Sequence, residues 1–338
     1  MVRPIHQPHV ALVGSDSLLG REIRDLAANM EPSIPLRLIA EDEEEEGSLT
    51  RQGDEPALVE SLGEDALTNA RAVFLTGSAA SSRKALELAG DSPDFAIIDL
   101  TYAAEERPDA RLRAPDLETE SEPDEAAVHV IAHPAAIALA LFLRRLHAHD
   151  PISRAVIQIF APASEQGKRG VEELQQQTVN LLSFKALPQE VFDAQTGFAM
   201  LAKYGNEAPT TLEETELRIE RHLATLLGFE GEGEGAPMPS LRVAQAPVFH
   251  GYSFSAWVEF ESNPGIEAIE NGLPCDAIEV LADEFDPPNN VGQAGQSGIA
   301  VGAIAPDRNN AEAVWFWVAA DNVRLAAENA LMVARRLA

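Results

Sequence analysis

Between residues 9 and 131, short apolar runs alternate with helical segments. This alternation constrains the fold more than any other feature of the chain. "HVALV" (9–13) is a buried-strand run that feeds "GSDSLLG" and then "REIRDLAANM", whose apolar residues recur at helical spacing. "LRLIA" (36–40), "ARAVFLTG" (70–77), "FAIIDL" (95–100) and "VHVIAHP" (128–134) read as further strands, and "SAASSRKALELAG" reads as a helix stopped at Gly90. Strands joined through helices pair in parallel, so a doubly wound parallel sheet is expected. The polar, proline-punctuated segment 101–127 reads as one long loop.

From 151 the pattern changes. "RAVIQIFAPAS" and the two runs in "LRVAQAPVFHGYSFSAWVEFE" are strand-like, as is "AVWFWVAA" (313–320). "GKRGVEELQQQTVNLLS" and "TLEETELRIERHLATLLG" are amphipathic helices, the second opened by a Thr211/Glu214 capping box. The chain ends in a helix from Asn322. The expected fold class is therefore α/β, with two domains. Residues 1–130 plus 321–338 form a Rossmann-like doubly wound domain, and residues 131–320 an α+β domain. The antiparallel sheet expected in the second domain has a face suited to a homodimer.

Composition removes several function classes. The chain has 338 residues, 55 acids against 25 bases and a formal net charge of −30. That field repels nucleic acid and anionic membranes. No apolar run is long enough to span a bilayer, and the N-terminus lacks a signal-peptide pattern. A single cysteine, Cys275, excludes an internal disulfide framework and fits a reducing cytosol, so a cytoplasmic protein is expected. Cys275 itself reads as a small core residue. His147 and His149 lie at a helix end with i, i+2 spacing, on different faces, so no metal site is expected there.

Gly14, Ser17 and Gly20 frame the turn after the first strand. Small residues there let a backbone approach a pyrophosphate at the helix N-terminus. Leu18 at the helix start and Gly77 at the end of the third strand join the candidate dinucleotide site. A plain strand-to-helix turn is the competing reading, since Ser17 replaces the middle glycine. Glu41 ends the second strand, about 20 residues past Gly20, where an acid accepts from a ribose 2′-hydroxyl and repels a 2′-phosphate. NAD is thus favoured over NADP, against the alternative that the acidic run 41–46 is a solvated loop. "SEQGKRG" (164–170) places Ser164 and Gln166 at a helix start able to receive an anion.

The stretch "VIAHPAAIALALFLRRL" (130–146) is a strand, a turn at Pro134 and an apolar helix. Such a turn commonly exposes a nucleophile, but here it offers His133, Ala135 and Ala136.

Together "VALVGSDSLLG", "FLTGSAASSRKALELA", "IIDLTYA", "IAHPAA", "SEQGKRGVEELQQQT", "QAPVFHGYSFSAWVEFE" and "VAADNVRLAAENALMVARRL" resemble, in order and spacing, the aspartate-semialdehyde dehydrogenase family. The resemblance is nearest to its Usg-like paralogues, suspected not to be dehydrogenases. It implies a Rossmann domain and a glyceraldehyde-3-phosphate dehydrogenase-like dimerisation domain. It also implies reductive dephosphorylation of aspartyl phosphate with NADPH, by a cysteine nucleophile and a histidine acid/base. On that frame the cysteine position is Ala136 and the histidine position is Tyr252, with His250 two residues away on what reads as the same strand face. Arg242 matches the arginine that holds the substrate carboxylate, and Glu220 the acid that grips its amine. The phosphate arginine falls near Glu105, with Arg107 displaced. Asp321 and Asn322 match the "ADN" that borders the nicotinamide. A methyl group cannot form a thioacyl intermediate, and a tyrosine of ordinary pKa near 10 is poorly matched to proton transfer at neutral pH. Three functions follow: a non-catalytic binding or scaffold homologue, an oxidoreductase transferring hydride with Tyr252 or His250 as acid, or a true semialdehyde dehydrogenase with relocated groups.

Overall fold

The computed structural model describes residues 9–42, 45–52, 55–90, 93–119, 126–281 and 287–337. The chain forms two compact units. The first comprises Met1–Pro115, Glu120–Ala132 and Ala326–Ala338, and the second Asp116–Thr119 and His133–Leu325.

The first unit contains β1 (His9–Val13), α1 (Leu18–Asn29), β2 (Leu36–Ile39), β3 (Leu49–Gln52), β4 (Glu55–Leu58), α2 (Glu64–Leu67), β5 (Ala70–Leu75), α3 (Ala79–Ala89), β6 (Ala96–Asp99), β7 (Ala110–Arg113) and β8 (Val128–Ile131). Six strands form a parallel sheet in the order β2-β1-β5-β6-β8-β7. Val13, Val73, Leu75, Ile97 and Val130 are buried on it. Two features depart from the sequence reading. Segment 101–127, read as a loop, contains β7, which pairs with β8 at the sheet edge. A small hairpin, β3–β4, follows β2 and is held to α1 by Arg24, which bonds Thr50 Oγ1 at 2.8 Å and the Arg51 carbonyl. Four-residue strands of mixed polarity carry too little periodicity to stand out from a loop.

The second unit contains α4 (Pro134–His149), β9 (Ile152–Ala161), α5 (Gly167–Leu182), α6 (Leu212–Leu227), β10 (Ser240–Gln245), β11 (Tyr252–Phe260), α7 (Ile266–Gly272), β12 (Ile278–Leu281), β13 (Ile299–Pro306) and β14 (Ala313–Ala320). α8 (Asn322–Leu337) begins in this unit, and its residues from Ala326 belong to the first. The sheet order is β10-β9-β11-β14-β13-β12. It is mixed rather than wholly antiparallel: β10 runs parallel to β9 and β12 parallel to β13. Strand alternation separates its faces. Ile157, Ile159, Phe254, Phe316 and Val318 are buried inward, and the α4 residue Phe142 meets Phe316 edge-on at 5.1 Å. Val156, Gln158, Phe160, Trp257, Trp315 and Trp317 alternate onto the outer face, with Val156 and Trp315 exposed. The two tryptophans of β14 thus lie outside the core.

Candidate functional sites in the two units

In the first unit the chain order reverses at β1, whose neighbours are β2 and β5. Ligands of open α/β sheets bind beyond the carboxyl ends of strands at such a switch point. Gly14 follows β1 and Gly77 follows β5, and the two turns touch: a Cβ built on Gly14 would lie 2.3 Å from the Gly77 Cα. Gly14 also holds φ +79°, a region that disfavours side chains. A Cβ on Gly20 would lie 2.3 Å from the Gly14 carbonyl oxygen. Ser17, which displaced the expected middle glycine, is the N-cap of α1, and its Oγ accepts from Gly20 N at 2.9 Å.

Glu41 lies across this crevice. A Cβ on Gly77 would come within 3.3 Å of the Glu41 carboxyl carbon. Next to Gly77, Ser78 is the N-cap of α3, and its hydroxyl donates to Ser81 Oγ at 3.3 Å. Burial pushes the Glu41 carboxyl above its ordinary pKa against the opposing pull of nearby Ser78, and Glu45 and Asp42 add to the rise. Of the acidic run, Glu43 and Glu44 lie outside the described residues.

In the second unit His133 is the N-cap of α4 and Pro134 opens the helix. The His133 Nδ1 accepts from Ala135 N at 3.2 Å, and Nε2 faces Glu165 Oε1 at 2.9 Å. Tyr252 Oη donates to Glu165 Oε2 at 2.7 Å. The His133 backbone N–H donates to His222 Nδ1, on α6, at 2.9 Å. His133 and Tyr252 are fully buried, with ring centroids 6.0 Å apart. Burial of Glu165 raises its pKa. The attraction of His133, the hydrogen bonds from His133 and Tyr252, and Arg218 together outweigh that effect, and the carboxyl sits below its ordinary value. Ala136, in the first turn of α4, is fully buried.

The remaining sequence candidates scatter. Arg242 pairs with Gln158 across the sheet, so it emerges on the outer face, opposite Tyr252, and binds Glu216 at 3.1 Å. Gln245, three residues on, faces inward. It accepts from Tyr204 Oη at 2.7 Å and donates to the carbonyls of Ala161 and Ala246. Burial raises the Tyr204 hydroxyl's pKa, and Glu165 adds to the rise. Glu220 is half-buried on α6. His250 does not share a strand face with Tyr252: β11 starts at Tyr252, and Gly251 at φ +81° breaks the alternation. The Asn322 Oδ1 accepts from Ser164 Oγ and Gly251 N, both at 3.1 Å. Asp321 is engaged with the N–H groups of Val323, Arg324 and Gly295. In the first unit Arg107 binds Asp109, and Glu105 bonds through its N–H to the Tyr102 carbonyl. Cys275, expected in the core, is exposed beside a bridge to Ile278. Among the described residues no group of three His, Cys, Asp or Glu converges to hold a metal, and no helix is long and apolar enough to cross a membrane. Sequence reading missed Glu165, although it stands between the flagged Ser164 and Gln166. A charged residue flanked by "FAPAS" was the available signal.

The dimerisation-domain model of the semialdehyde dehydrogenases matches residues 143–325. An aspartate-semialdehyde dehydrogenase of Rickettsia bellii is 26% identical over 97% of both chains. A USG-1 protein homologue of Pseudomonas aeruginosa is 30% identical over 63% of both. Aspartate semialdehyde dehydrogenase II of Vibrio cholerae, solved with ASA, superposes with a TM-score of 0.81 at 23% identity over 98% of both chains. The Candida albicans enzyme, solved with NADP, does so at 0.67 and 14% over 98% of both. The fold shared with these structures is an α/β fold.

Proposed function

This chain belongs to the semialdehyde dehydrogenase family, and on that premise we propose that it is a member without the thiol-dependent reaction, acting as a binding or scaffold protein. One observation carries the reading: Glu165 takes a hydrogen bond from His133 and another from Tyr252, the residue at the family's acid/base position. A buried carboxylate with both oxygens engaged is a structural tie. The groups available for proton transfer are consumed by one another, beside a cysteine position held by the methyl group of Ala136. Each missing catalytic group ordinarily contributes about 10²-fold or more in rate. Hydride transfer with Tyr252 as acid is disfavoured by the same bond, since its proton already points at Glu165.

The ligand of the glycine crevice is a nicotinamide dinucleotide, with NAD favoured over NADP by Glu41. The partner is a second copy of the chain, seated on the outer face of the mixed sheet, in the reducing cytosol. Purified protein mixed with aspartate semialdehyde, phosphate and NAD or NADP is expected to give no protein-dependent change at 340 nm. Robust turnover would overturn the proposal. Sedimentation is expected to give a dimer that Trp315→Glu weakens.

A further inference from the structure

We infer that α5 and the loop pinned to it form an arm that docks a second copy of this chain, beyond the edge of the mixed sheet. The inference rests on the homodimer reading above and adds a surface outside the sheet. On the sheet's outer face, Val156 and Trp315 are the exposed large hydrophobic residues among those described. A stable interface ordinarily buries about 800 Å² per partner, and two side chains supply only a fraction of that.

The remaining surface lies beside β10. Val179 and Leu182 on α5, Phe184 just after it, and Phe198 and Met200 on the following loop are all exposed, Phe184 to 99% and Leu182 to 71%. A Cβ on Gly197 would lie 2.7 Å from Leu181 Cδ1, so the loop runs against α5 and sets Phe198 beside it. Leu201 and Gln245 exchange both backbone hydrogen bonds, at 3.0 and 2.9 Å, which ties the loop to the end of β10. Directly paired residues share a face, and Gln245 faces inward. Met200, one residue from Leu201, therefore emerges on the outer face, with Val156 and Trp315. The apolar surface runs from the sheet past β10 to α5.

These side chains are held in place from behind. Glu173 accepts from the N–H groups of Val191 and Phe192. Gln177 accepts from those of Thr196 and Gly197 and donates to the carbonyls of Pro188 and Ala194. Phe184 and Phe198 hold φ of +54° and +60°, where aromatic residues are rarely found, so strain is accepted at two residues that face solvent. A loop pinned this way loses little freedom on docking. The occupant follows from three observations. The arm lies within residues 143–325, which match a dimerisation domain. Its surface continues the outer sheet face. Two copies with a net charge of −30 repel, but residues 166–205 carry four bases against four acids, so like-charged copies can approach there.

Sedimentation equilibrium of the full chain tests this, with melting curves to verify folding. Leu182→Lys and Phe198→Ser add no negative charge, and each is expected to raise the dimer dissociation constant about tenfold or more. Leu49→Lys, at an exposed residue of the first unit, is expected to change it less than about twofold. In a Cys275→Ser background, which removes the one native thiol, a maleimide is expected to label Leu182→Cys at least about fivefold more slowly in the dimer than in the diluted monomer. Arm variants that dimerise like the wild type, equal labelling in dimer and monomer, or a loss as large for Leu49→Lys each overturn the arm. If Trp315→Glu still weakens the dimer in that case, the homodimer reading stands without it. A wild type that stays monomeric at about 100 μM overturns the homodimer reading and this inference together.

Discussion

The glycine crevice of the first unit and the α4 elbow of the second are both junctions where a strand passes the chain to a helix. At the first, three positions keep no side chain: a Cβ at Gly14, Gly20 or Gly77 would meet a neighbour within about 3 Å. Close approach of backbone is retained there, and it serves a ligand as well as it serves packing. At the second, the reactive position carries a methyl group, and the polar residues around it bond to one another. Binding geometry and reaction chemistry are separable properties of one chain, because backbone shape depends on glycines and caps, while chemistry depends on side-chain atoms with open valences.

The comparison breaks first at Glu165. Glu165→Ala leaves the buried His133 Nε2–H and Tyr252 hydroxyl without their partner and is expected to cost about 2–5 kcal/mol, read as a large fall in melting temperature. A change within error would mean the elbow is held by packing alone. Next is Gly14→Ala, which combines φ +79° with a clash against Gly77 and is expected to cost about 2–3 kcal/mol and abolish dinucleotide binding. A variant that melts like wild type would show the crevice to be looser than its geometry.

A smaller effect sharpens the electrostatics of the elbow. The Glu165 pKa is lowered in the folded chain, so its contribution is full above the unfolded value, about 4.3, and fades as pH falls through the folded value. The melting difference between wild type and Glu165→Gln should therefore be constant from pH 7 to about pH 5 and shrink below about pH 4.3. A gap that widens in acid would reverse the assigned sign. The smallest effect belongs to Arg242→Ala, an exposed ion pair on the other face of the sheet, expected to change stability by at most about 0.5 kcal/mol and to leave ligand binding unchanged. A loss of binding would restore Arg242 to the site.

Much of the first unit was legible because its signals are local. The strand runs of the parallel sheet, the Gly14 turn and the Gly90 stop each lie within a few residues of chain, as does the Thr211/Glu214 box of the second unit. β7 and the β3–β4 hairpin were not, because four residues are too few to establish a period. Arg242 was misplaced for another reason. Which face a strand residue occupies depends on register with β9, and an offset of three residues, from Arg242 to Gln245, reverses the face.

By itself, the sequence determined which atoms this protein has to work with: glycines where two turns must meet, an acid at the end of β2, a methyl group at Ala136 and a tyrosine at 252. Tertiary structure alone decided what those atoms face. Glu165 joins residues 32 and 87 positions away, and Glu41 brings its carboxyl carbon up to Gly77, 36 positions on. No pattern in one dimension reports such pairings, because they are set by how strands and helices stack, and a polar group's chemistry is settled by the partner it finds there.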